Sequence, residues 1–117
     1  MSLRDVVRRL KTTPEELERV RLSEQCTILG ATPIDAVEAR LPVEIVGEVR
    51  SVRIVPRAGA PSLEVTIDDG HGFAVGVFFG RNRLAGVGPG RNVRFSGRAL
   101  REHGRVTMYN PVYEFVS

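Results

Sequence analysis

The chain has 117 residues, 42% apolar and 26% charged, with a formal net charge of +3, which is enough for one folded core and too little for a second domain or a deep substrate cleft. Its single cysteine, Cys26, excludes an internal disulfide and a cysteine-held zinc. That cysteine usage, a charged and interrupted N-terminal stretch, and apolar runs too short to span a bilayer together point to a cytoplasmic protein.

Residues 1–41 read as a helical arm and an approach turn. Leu3, Val6, Val7 and Leu10 fall at helical spacing. Thr12-Thr13-Pro14-Glu15-Glu16 is a helix start, with a threonine cap, proline at the first helical position and acids in the first turn. Leu17, Val20 and Leu22 carry the helix onward, and Gly30 ends it. The pattern fits one helix or two. Thr32 to Val37 reads as a short approach turn. The arm can pack on the rest of the chain, pair with a partner helix, or stay mobile.

From Val43 the period switches to two. A first strand runs through Gly47 to about Val55, the glycine marking a bulge or bend. Residues 56–61 read as a turn-rich loop. Leu63, Val65 and Ile67 form the inward face of a second strand, leaving Glu64, Thr66 and Asp68 outward. Asp69-Gly70-His71-Gly72 is a hairpin turn. In the third strand Phe73, Val75, Val77 and Phe79 read as inward, with Ala74, Gly76 and Phe78 outward. A long connection, Gly80 to Gly90, precedes a fourth strand from Arg91 to Arg98 with Val93 and Phe95 inward. Leu100 to Gly104 reads as a loop, and a fifth strand runs from Arg105 to about Phe115 with Val106 and Met108 inward.

Five short strands with a long bent first member, and the longest gap between the third and fourth, predict a mainly β fold: a five-stranded OB-fold Greek-key barrel over 42–117 with an N-terminal helical extension. Closure also removes the open edges that a five-stranded sheet would carry. An SH3-like barrel is the competitor on strand count.

Several runs carry a resemblance. Gly47-Glu48-Val49, Val65 to Gly72, Val77-Phe78-Phe79, Pro89 to Val93, Phe95 to Arg98 and Met108 to Glu114 resemble the OB-fold wedge domain of RecG-type helicases, which grips branched DNA. Gly30-Ala31-Thr32-Pro33-Ile34, Gly80-Arg81-Asn82-Arg83 and Asn110-Pro111-Val112-Tyr113-Glu114 are similar to stand-alone actinobacterial OB-fold nucleic-acid-binding proteins. The resemblance spans Gly30 to the end and rests mostly on glycines, turn residues and inward apolar positions. It implies the fold and, through it, nucleic-acid binding. A helicase motor is not implied, because the chain has no Walker-type phosphate loop.

An OB-fold binds oligonucleotides across its second and third strands, between the loops joining strands one to two and four to five. Arg57 belongs to the first of these loops, and Arg101, His103 and Arg105 to the second. Between Arg81 and Arg105 stand seven arginines (Arg81, Arg83, Arg91, Arg94, Arg98, Arg101 and Arg105) and one acid, Glu102. Arginine forks onto phosphate and stacks on bases, and such a patch makes binding salt-sensitive; GC-rich coding gives the same arginine bias, since Lys11 is the only lysine. Phe78 and Tyr109 are the candidate stacking residues. Glu64 and Asp68, outward on the second strand, oppose a phosphate backbone and favour a protein partner instead. The expected ligand is therefore single-stranded or branched nucleic acid, and the alternative is a protein docked through the barrel and the N-terminal helices. The inventory holds no catalytic constellation, metal set, cofactor motif or small-molecule site: His71 and His103 sit in turns, and the adjacent Asp68 and Asp69 point to opposite faces of a strand.

Overall fold

Residues 13–116 are described by a computed structural model; the apolar repeat Leu3, Val6, Val7 and Leu10 lies outside them. Thr13 caps helix α1 (Pro14–Ile28). Its hydroxyl accepts from the Glu16 amide at 3.2 Å, and the Glu16 carboxylate accepts from the Thr13 amide at 3.1 Å. This reciprocal box, with Pro14 in the first turn, is what Thr-Pro-Glu-Glu encodes. Beyond the helix Gly30 adopts φ +66° and turns the chain. A short 3₁₀ turn, Ile34–Ala36, follows, and Ile34 and Val37 join the core of the sheet.

Six strands follow: β1 (Pro42–Arg57), β2 (Ala60–Asp68), β3 (Phe73–Phe79), β4 (Asn92–Glu102), β5 (Arg105–Tyr109) and β6 (Val112–Phe115). The long first strand serves two neighbours. Its Pro42–Glu48 half pairs with β4, and its Glu48–Arg57 half pairs with β2. The changeover explains Gly47, where a Cβ would stand 2.9 Å from the Asp68 carbonyl oxygen. A register shift between Val49 and Ser51 bends the strand. The order β1-β2-β3-β5-β4 then returns to β1, so five strands close a ring, with β3 and β5 parallel and the other pairs antiparallel. β6 lies outside that ring, beside β4.

Leu63, Val65, Ile67, Val93, Phe95, Val106 and Met108 fill the interior as their alternation predicts. The third strand reverses the expectation. Ala74 and Phe78 lie in the core and Gly76 faces Phe95, while Phe73 and Phe79 are half exposed, at 50% and 47%. Register is the cause: Leu63, Val65 and Ile67 pair with Phe78, Gly76 and Ala74, and partners across a ladder share a face.

Three boundaries also differ. The expected loop at 56–61 is a two-residue turn, Ala58-Gly59, with φ of +51° and +80° between the paired Pro56 and Pro61. The expected loop at 100–104 is likewise the turn His103-Gly104, with φ of +51° and +76°. Left-handed pairs of this kind match the twist of two-residue hairpins. The fifth strand breaks at Asn110-Pro111, where Asn110 has φ +48°, so that β6 is a separate element.

Helix α1 packs on the β2–β3 turn. Gly70, at φ +85°, lies so close beneath it that a Cβ would stand 2.7 Å from the Ser23 amide nitrogen. Asp69 uses one carboxylate oxygen to accept from the His71 and Gly72 amides and the other to accept from the Ile34 amide at 2.8 Å. Asp68, on the opposite side, accepts from Gly70 and meets Arg19 at 2.9 Å and Arg50 at 3.5 Å. The acid pair thus ties helix, approach turn and sheet together. Cys26 is buried against Asp69, and burial, reinforced by that carboxylate, pushes its thiol up to about 11. No helix among the described residues is long and apolar enough to cross a membrane.

Candidate nucleic-acid interface

The outer faces of β2, β3 and β5 form one surface, bounded by the Ala58-Gly59 tip on one side and the His103-Gly104 tip on the other. Between the tips lies a cleft of about 140 Å³ lined by Arg57, Glu64, Val75, Val77, Glu102, His103, Arg105 and Thr107. Val75 and Val77 face outward yet are buried, and they make its apolar floor.

Each acid on the β2 face is answered by two arginines. Glu64 accepts from Arg53 at 3.2 Å and from Arg57 at 3.0 Å. Burial pushes the Glu64 carboxyl up, but the hydrogen bonds from Arg57 and Arg53 outweigh it and hold the group below its ordinary range. Asp68 has Arg19 and Arg50. Arg50 is shared among Asp68, Glu48 and Glu18, so the acids of β2 are neutralised rather than outnumbered, and the repulsion expected from Glu64 and Asp68 is offset in place.

Tyr109 donates its hydroxyl to Glu102 at 2.5 Å, and this hydrogen bond, then burial, raises its phenol above the ordinary value. Its ring lies flat against Phe79, with centroids 5.5 Å apart and planes 2° from parallel. Phe79 exposes about half its surface, so a stacked aromatic pair sits at the surface next to the cleft. At the opposite end of β3, Phe73 carries the Arg19 guanidinium 5.6 Å from its ring centroid.

The expected site residues divide into groups. Arg57 and Arg105 line the cleft together, with Tyr109 beside them. Arg81 and Arg83 are exposed on the connection that follows Phe79 and make no ion pair among the described residues. Arg94 is held by Glu44 at 3.2 Å and Glu114 at 3.3 Å. Arg98 donates to the Arg40 carbonyl at 2.7 Å, and Arg101 donates to the Val37 carbonyl at 3.0 Å. None of these last three lines the cleft. The run of arginines along the chain is thus not gathered at the cleft: Arg94, Arg98 and Arg101 are each held by a different segment.

Phe78 is not a surface residue: it is 4% exposed and meets Phe95 and Tyr113 edge to face at 5.9 and 5.7 Å. Phe79 and Phe73 take the outward places that alternation assigned to Phe78. The turn held the signal, since four residues between Asp68 and Phe73 make those two opposite partners on one face. No protein-family model matches the chain, and no curated protein matches it.

Proposed function

We propose that the chain is a non-catalytic nucleic-acid-binding module of the OB type, which lays a single-stranded or branched strand across β2, β3 and β5 between the two hairpin tips. The strand order of the ring and the position of the cleft between the β1–β2 and β4–β5 hairpin tips support the OB reading. The observation that carries the function is the flat Phe79–Tyr109 pair beside Arg57 and Arg105. Stacking surfaces next to guanidinium groups are what an unpaired strand needs, since every base has a π face and every nucleotide a phosphate. The similarity to helicase wedge domains extends the reading to forked substrates.

The protein-docking alternative drew on the acids of β2 and on the chain's few aromatic residues, 6% with no tryptophan. With Glu64 and Asp68 each engaged by two arginines, the first feature no longer favours it.

Fluorescence anisotropy with labelled DNA and RNA oligomers and a forked duplex tests the proposal. Binding should weaken with salt at about −0.7 in log–log slope per phosphate neutralised on a single strand. Arg57→Glu with Arg105→Glu should reduce both affinity and slope. Absence of binding at low salt, or indifference to the double reversal, sinks it.

A further inference from the structure

We propose that the cleft between the hairpin tips accepts one guanine base of the bound strand, read by Glu102 on its donor edge and by guanidinium groups on its acceptor edge. This rests on the nucleic-acid reading above and specifies it. A cleft of about 140 Å³ has room for one flat heterocycle and none for a duplex or a helix. A base splayed from a single strand is held by stacking on a ring or a guanidinium plane and by hydrogen bonds along its edge, and Arg57 and Arg105 stand at the walls of the cleft.

The walls supply both acceptor and donors. Glu64 is occupied by Arg53 and Arg57. Glu102 is not: one oxygen accepts from Tyr109, and the other has no hydrogen-bond partner among the described residues. On the donor side, Arg105 has no ion pair among the described residues and lines the cleft with Arg57.

Guanine matches this arrangement. Its N1–H and N2 amino group are adjacent donors that one carboxylate accepts together, while O6 and N7 accept from guanidinium. Adenine and cytosine present one amino donor next to a ring acceptor, and thymine and uracil present a single N–H between two carbonyls. Each of these sets a lone pair against Glu102. The preference concerns one position and leaves the rest of the strand unread.

The test is anisotropy with a labelled oligothymidine and the same strand carrying one central guanine, inosine, adenine or cytosine. The guanine strand should bind about tenfold tighter than the all-thymine strand. Inosine, which lacks the N2 amino group, should fall between them. Glu102→Gln should bring the guanine-to-thymine ratio to about one, and the inosine comparison needs no variant. Equal binding of all five strands by the unaltered protein overturns the guanine site while leaving the nucleic-acid reading intact. No binding of any strand overturns both. Guanosine monophosphate titrated against the bound labelled guanine strand separates the sources: if it displaces the strand at the strand's own concentration, the cleft takes free nucleotide and the strand proposal falls.

Discussion

Gly76 lies directly under Phe95: a Cβ at position 76 would stand 2.7 Å from Cε2 of the ring. The largest fully buried side chain among the described residues therefore occupies space that only a glycine on β3 leaves open. Gly76→Val overpacks the ring interior and should lower unfolding free energy by about 1–3 kcal/mol. Urea denaturation followed by circular dichroism measures it, and an unchanged midpoint would refute the packing.

Neighbouring phenylalanines should behave in opposite ways. Phe79→Ala removes an exposed stacking ring and should weaken oligonucleotide binding by roughly fivefold or more, the equivalent of ~1 kcal/mol per base, with little loss of stability. Phe78→Ala empties the core and should cost about 3–5 kcal/mol of stability. Paired anisotropy and thermal melts distinguish them; the reverse pattern would restore the outward placement of Phe78.

Acid should weaken the fold through Glu64. Its carboxyl titrates lower when folded than when unfolded, so its stabilisation is full above the unfolded value of about 4.3 and is lost as pH falls through the lower folded value. Glu64→Gln should flatten that part of the stability–pH curve. A variant with an acid limb identical to the parent's would show that the Arg53 and Arg57 bonds contribute nothing.

The thiol of Cys26 reports on the helix. Buried and raised to about 11, it should react slowly with a disulfide reagent at neutral pH and faster as pH rises. Gly70→Ala places a methyl group against the Arg19 and Ser23 backbone at a positive φ. It should lift α1 and speed the reaction at neutral pH. If the thiol stays equally protected, the helix is not seated on Gly70.

Arg101, bonded to the approach turn and outside the cleft, should matter for stability alone. Arg101→Met removes the hydrogen bond to Val37 and should cost about 1.5–3 kcal/mol at most, the range for a bond to a charged donor, while the oligonucleotide affinity measured by anisotropy stays within about twofold, since removing one remote charge contributes little through screened solvent. A larger loss of affinity would return Arg101 to the interface.

The helix cap, the first four strands and most of the interior were legible in the sequence because each rests on a local rule: alternation, a capping box, a turn between apolar runs; the break that makes β6 a sixth strand was not, because it rests on the positive φ of the non-glycine residue Asn110. The phase of β3 was not, because both of its faces are apolar. Val75 and Val77 face outward but are covered like core residues, so the outward set looks more buried than Ala74, Gly76 and Phe78. The tight tips were obscured by Ala58 and His103, non-glycine residues that nonetheless adopt positive φ. The division of the arginines between cleft and other surfaces was hidden for a different reason. Nearness along the chain says nothing about side, and the partners that engage Arg94, Arg98 and Arg101 come from distant segments.

The seam between β1 and β4 joins residues such as Glu44 and Arg94, 50 positions apart. A nascent chain that has reached only β3 is an open meander with two unpaired edges and no Phe95 to fill its middle. Contacts of this span are slow to form. Glu102, His103, Arg105 and Thr107 emerge last of the cleft residues, so the cleft has only one of its two walls until β4 and β5 have left the ribosome, and a product that stops before β4 has neither a closed ring nor a second tip.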